Sequence, residues 1–318
     1  MKKWGFLIGV SLFFYSCGSE YISNENIDNN KEISSEISLE ELTYLSPVST
    51  INNPLYSISP QSMKDLPNFA EIIGKSVKVN ISLEDFKCFL KGNKNVCIYS
   101  FEFLEGKGGR IHFSEVNLPE NSKLILFNNK YKEIYTKDER KSFWSINFDT
   151  PQVYIAFIYP SYMSFSKSPF KIDTVSYIWG ENSVISDIAP AFARPTECEI
   201  IDVNCATQSL ERGKWRYAKS TSMVIISDDS FTYQCSGNLI SSKKDPNDPL
   251  FITARHCFKD NDELIENAVF WFDYYSQYCD SFYESNKKHY IVGGKVLTKS
   301  KNDIALIEIK GKLNTKKH

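Results

Sequence analysis

A side chain that is to move protons near neutral pH needs an imidazole whose ring is held still and whose second nitrogen has a partner. The segment Thr253-Ala254-Arg255-His256-Cys257 offers such a ring at the end of the apolar run Leu250-Phe251-Ile252. Further on, Asn302-Asp303 opens the alternating stretch Ile304-Ala305-Leu306-Ile307. An aspartate at the mouth of a strand can be buried against an imidazole, where it fixes the tautomer and stabilises the imidazolium. His256 and Asp303 are therefore the candidate catalytic pair. The other histidines carry less. His112 sits in the alternating Ile111-His112-Phe113-Ser114 and reads as a strand-surface residue, and His289, in Lys287-Lys288-His289-Tyr290, reads as a solvated one. No metal-ligand spacing occurs, and the chemistry of the candidate pair needs no cofactor. Gly106-Lys107-Gly108-Gly109-Arg110 lacks both the strand-loop-helix context and the ending of a phosphate loop, so it reads as a strand turn.

The elements that must hold such a pair are strands. The 318 residues suggest roughly two domains, and 42% apolar with 14% aromatic residues excludes a wholly disordered chain. Lys+Arg at 37 against Asp+Glu at 39 leaves no basic excess for nucleic acid. Residues 75–180 show period-2 patterning in Val77–Ile81 and Ile111–Ser114, with turns at Pro119–Ser122 and Asn128-Asn129. Leu124–Phe127 reads as a strand, and the almost continuously apolar Gln152–Tyr159 reads as the central strand of a sandwich. Cys88 and Cys97 flank a short polar loop and look like a hairpin closed by a disulfide.

The chain starts with a basic Met1-Lys2-Lys3 and an apolar run, Trp4–Phe14, too short to cross a bilayer core of about 30 Å. This reads as a signal peptide. Ser16-Cys17 directly after it resembles a bacterial lipobox, which implies cleavage before Cys17, acylation of that residue and an exported protein anchored in the envelope membrane. Acids crowd residues 20–41 among Ser and Asn, and prolines follow at 47, 54, 60 and 67, so the stretch reads as a solvated tether. The expected organisation is a signal peptide over 1–16, a tether over 17–72, a β-rich domain over 73–185 and a further domain over 196–318.

Cys235-Ser236-Gly237-Asn238-Leu239-Ile240 ahead of Thr253-Ala254-Arg255-His256-Cys257 resembles the trypsin/chymotrypsin-like serine proteases, and more narrowly residues 196–310 resemble bacterial lysyl endopeptidases. The resemblance is carried also by Thr196-Glu197-Cys198, Asp202-Val203-Asn204-Cys205 and the aromatic run Ala268–Tyr275. It implies an all-β chain, in which a propeptide-like β-sandwich precedes the first β-barrel of a chymotrypsin-like protease. It implies Ser-His-Asp proteolysis of peptide or protein substrates, with His256 as base and Asp303 as its partner. Cys235 and Cys257 could join as a disulfide that pins the His256 turn to the strand behind it, and by resemblance Cys205 pairs with Cys279.

The nucleophile breaks the resemblance. The family carries its serine in Gly-Asp-Ser-Gly-Gly on a second barrel, and no such motif occurs among these residues. Ser236 belongs to the first-barrel strand and cannot replace it. Of the eight cysteines, Cys17 goes to lipid and three pairs use six, leaving Cys198, whose counterpart in the family pairs into the second barrel. No lysine lies between Lys171 and Lys214, so lysine-specific self-processing near Arg194 is not expected. The sequence thus predicts a protease cut short before its serine, inactive alone and with an apolar barrel face exposed. The alternative is a degenerate, non-catalytic surface lipoprotein acting as a binding module.

Overall fold

The computed structural model describes residues 46–52, 71–179, 218–241, 249–258, 261–275 and 289–311. Cys17, Cys198, Cys205 and Cys279 lie outside the described residues, as do the signal peptide and most of the tether. The described chain is nearly all β. Its strands are β1 (Val48–Ile51), β2 (Glu71–Ser82), β3 (Lys87–Lys91), β4 (Lys94–Phe103), β5 (Gly106–Ser114), β6 (Lys123–Phe127), β7 (Lys132–Tyr135), β8 (Phe143–Trp144), β9 (Gln152–Pro160) and β10 (Lys171–Trp179). After the residues left undescribed come β11 (Thr221–Ser227), β12 (Phe231–Ile240), β13 (Leu250–Ala254), β14 (Val269–Phe272), β15 (His289–Val292), β16 (Gly294–Lys299) and β17 (Ile304–Ile309). Arg255–Phe258 is a 3-10 turn, and Glu263–Glu266 is a short helix, α1.

The first sheet of the sandwich runs β1-β4-β9-β6-β7. β9 is central, as its apolar run predicts, because both of its faces are covered. The outer edge of β4 is closed twice over. β3 pairs with its first half through a hairpin that carries the Cys88–Cys97 disulfide, and β1 lies parallel to its second half. Val48–Ile51 falls within the stretch expected to be a tether, and there the structure differs. Ile51 is buried, and the strand's backbone satisfies an edge that would otherwise be open. The glycine run differs too. The turn is at Leu104-Glu105, and Gly106 already begins β5, where a Cβ on Gly109 would stand 2.3 Å from the Phe103 ring.

The second sheet is shared between the two halves of the chain. Its path runs β8-β5-β10-β2-β12-β11-β14-β15, so β2 of the sandwich pairs with β12 of the later domain. β12 turns from that contact to pair its second half with β13, which pairs with β17, and β17 with β16. β15 and β16 are two parts of one strand, separated by Gly293 at φ +87°. The first part pairs with β14 and the second with β17, which closes the later domain into a barrel. Only a residue without a Cβ fits the join, because a Cβ there would lie 2.6 Å from the Glu266 carbonyl.

Strand patterning explains where each core lies. In β14 the run Val269-Phe270-Trp271-Phe272 is buried throughout. Phe270 and Phe272 fill the barrel with Phe251, Phe258 and Ile307, whereas Val269 and Trp271 enter the core of the sandwich with Ile225 and Tyr233. One expected exposed face of the barrel is therefore covered by the sandwich. Polar bonds cross the same junction. The fully buried Arg110 of β5 donates from Nε to the Ser145 carbonyl (2.8 Å), from Nη1 to Ser227 Oγ (3.0 Å) and from Nη2 to the Asn267 carbonyl (2.8 Å). Trp271 Nε1 donates to Asn147 Oδ1 at 2.6 Å, and the Ser76 amide to the Ser230 carbonyl at 2.9 Å. On the opposite side of the barrel, Ile304 and Leu297 are exposed and Ile252 and Leu306 half-buried.

Candidate functional site

The site is built where β13 ends. Thr253 donates its hydroxyl to the Ser236 carbonyl at 2.8 Å, tying β13 to β12. Gly237 lets the two strands approach closely, since a Cβ there would stand 2.4 Å from both the Ile252 carbonyl and the Phe251 ring. The 3-10 turn Arg255–Phe258 then lifts His256 off the strand, and the Cys235–Cys257 disulfide clamps the turn from behind with its Cα atoms 6.1 Å apart. An imidazole on a turn clamped this way has little freedom to change its orientation.

Antiparallel pairing of β13 with β17, with Ala254 opposite Ile304, sets Asp303 beside the turn. The Arg255 amide donates to the Asp303 carbonyl at 3.1 Å. Asp303 adopts φ +62°, a left-handed conformation that aspartate tolerates better than most residues. Its two oxygens divide the work. Oδ2 lies 2.6 Å from His256 Nδ1, and Oδ1 accepts the His256 backbone N–H at 2.9 Å. The hydrogen bonds from the His256 side chain and amide hold the Asp303 carboxyl below the usual carboxylate range. An ionised carboxylate has no proton to give, so Nδ1 carries the hydrogen and Nε2 is the basic nitrogen of the ring.

The structure thus brings the two predicted residues into contact, but it does not bury the acid. The Asp303 side chain is 49% exposed and that of His256 31%. The sulfurs of Cys235 and Cys257 lie with the His256 ring within 4.8 Å, a spacing that would suit a metal. Joined as a disulfide they present no thiolate, and the donor set does not fit one.

Two histidines read as surface residues are placed otherwise. His289 is half-buried on β15, stacked on Phe272 with Nδ1 3.7 Å from Asp273 Oδ2. His112 is more consequential. Its Nδ1 lies 2.6 Å from Asp173 Oδ1 and its Nε2 2.8 Å from Ser142 Oγ. No sequence signal could have found this group, since its members stand 30 and 61 residues from the histidine, on β10 and just before β8.

A barrel of antiparallel strands with a histidine–aspartate pair at one end is the architecture of chymotrypsin-like folds. Residues 192–317 match the family model described as lysyl endopeptidase, C-terminal domain, and this part of the chain is lysyl endopeptidase-like. No curated protein matches the chain.

Proposed function

We propose that this protein is a lipid-anchored, exported member of the serine endopeptidases whose described barrel supplies the general base and its partner. The observation that carries the reading is the His256–Asp303 hydrogen bond of 2.6 Å in a segment matching the lysyl endopeptidase model. In this reading His256 Nε2 takes the proton of an attacking serine and returns it to the leaving amine. Asp303 keeps Nδ1 protonated and stabilises the imidazolium through Oδ2, while Oδ1 holds the His256 backbone amide. The serine and the backbone amides that would hold the oxyanion lie beyond these 318 residues, in a continuation of the reading frame or a second polypeptide. These residues alone then hydrolyse no peptide bond.

The test reads the DNA downstream of codon 318 and expresses the continued protein beside the 318-residue chain. The continued protein should hydrolyse casein, and His256→Ala should lower that activity by about 10⁴-fold or more. Casein hydrolysis by the 318-residue chain, or a folded continued protein lacking His256-dependent activity, would overturn the proposal. The second of these results favours the non-catalytic binding module.

A further inference from the structure

We propose that the sandwich carries a second nucleophilic site, Ser142–His112–Asp173, in which Ser142 is acylated by carboxylic esters. The site is separate from the barrel and does not depend on His256.

Three neighbouring strands build it. His112 stands in mid-β5, directly opposite Trp144 of β8, and Ser142 immediately precedes β8. On the other side of β5, pairing with β10 skips Asp173, with Ile172 opposite Phe113 and Thr174 opposite His112. Against β2 Asp173 also has no register partner, although there it is β2 that carries the extra residue. Against β5 Asp173 is thus the extra residue of a β-bulge, a device that re-aims a side chain out of the strand's regular alternation. Here it turns the carboxylate onto the His112 ring at 2.6 Å. Trp144 lies along the same ring with centroids 4.9 Å apart and limits its rotation.

Chemistry fixes the direction of the relay. Burial works against ionisation of Asp173, but hydrogen bonds from His112 and Ser114 outweigh it and hold the carboxyl below its ordinary range. The carboxylate can only accept, so Nδ1 of His112 is protonated and Nε2 accepts the Ser142 hydroxyl proton at 2.8 Å. Both distances are within the reach of general-base catalysis. The ring and the acid are sheltered, with side-chain exposures of 16% and 30%, while Ser142 is exposed. β8 ends the path of its sheet, so the hydroxyl stands at an edge that an ester can approach.

In the reaction, Ser142 Oγ bonds to the ester carbonyl carbon while its proton passes to His112 Nε2. The imidazolium then protonates the departing alkoxide, leaving an acyl-serine and an alcohol. Water, giving its proton to Nε2, releases the acid and restores the serine. The exposed hydroxyl suits small or activated acyl donors.

The test treats the full 318-residue chain with a fluorophosphonate and, separately, with p-nitrophenyl acetate, and maps the modified residue by mass spectrometry of peptides. The fluorophosphonate should modify Ser142 at about one equivalent, and p-nitrophenyl acetate should release p-nitrophenol, with acetyl on Ser142 trapped by acid quench. Modification should persist in His256→Ala, vanish in Ser142→Ala, and slow about 100-fold in His112→Gln, the scale of a lost general base. Because Ser142 is exposed, Ser142→Ala should fold as the parent does. A folded parent that leaves Ser142 unmodified, or modifies it no faster than His112→Gln, would overturn the proposal and reduce the group to a structural bond between strands.

Discussion

Glu133 of β7 makes the sandwich–barrel junction sensitive to pH. The side chain lies in the interior, where Oε2 accepts the Ile146 amide at 3.0 Å and the Tyr135 hydroxyl also bonds to it. Arg110 and Arg140 attract its charge, and Tyr290 of β15 faces it from the barrel. Burial outweighs these attractions and pushes its carboxyl up to about 7. A raised value means that the folded state prefers the protonated acid. The associated stability is complete below about pH 4.5, the ordinary glutamate range, and is lost as pH climbs through 7. The displacement amounts to roughly 3 kcal/mol between those limits. Arg110, pushed down to about 10 by burial, remains charged across that window and contributes no slope. Asp303 and Asp173, held low, lose stability only at more acidic pH and do so equally in parent and variant. Glu133→Gln retains an oxygen for the Ile146 amide but cannot ionise. Urea unfolding followed by tryptophan fluorescence at pH 5, 6, 7 and 8 should show the variant gaining on the parent by about 2.5 kcal/mol across the series. A difference between the two proteins that stays constant with pH would refute the reasoning.

The Cys235–Cys257 bridge closes a loop of sequence separation 22, for which chain entropy gives about 3 kcal/mol of stability. The Cys235→Ala/Cys257→Ala protein should lose that amount in denaturant unfolding, and an unchanged midpoint would count against the clamp. At the other end of the chain, a clickable fatty-acid analogue fed to expressing bacteria should label the protein, and Cys17→Ser should abolish the label. Equal labelling of that variant would remove the anchor from the proposed function.

How much of this was legible depended on whether the partners lay close in sequence. The alternation of Ile111–Ser114 and the apolar run of β9 place both segments in strands, because a strand's faces are written in its own residues. His256 and Asp303 were legible because each lies at a strand end with a recognisable setting. That Asp303 is exposed was not, since exposure depends on what packs over β17. β1 was missed because Val48–Ile51 sits among polar residues and is stabilised by backbone pairing with β4, to which its own pattern gives no clue. The burial of Val269 and Trp271 could be read from an unbroken apolar run, but not the identity of the surface that covers them. His112 shows the limit most plainly: its partners depend on the register of two neighbouring strands and on a single bulge.

The junction between β2 and β12 bears on how the chain is made. Translation delivers the sandwich first, and until β12 emerges the outer edge of β2 is a row of unsatisfied amides and carbonyls. An open edge of this kind recruits any strand within reach, including the same edge on another copy. The sandwich released without its barrel is therefore a self-associating fragment. The second half of the chain acts for the first as its cap.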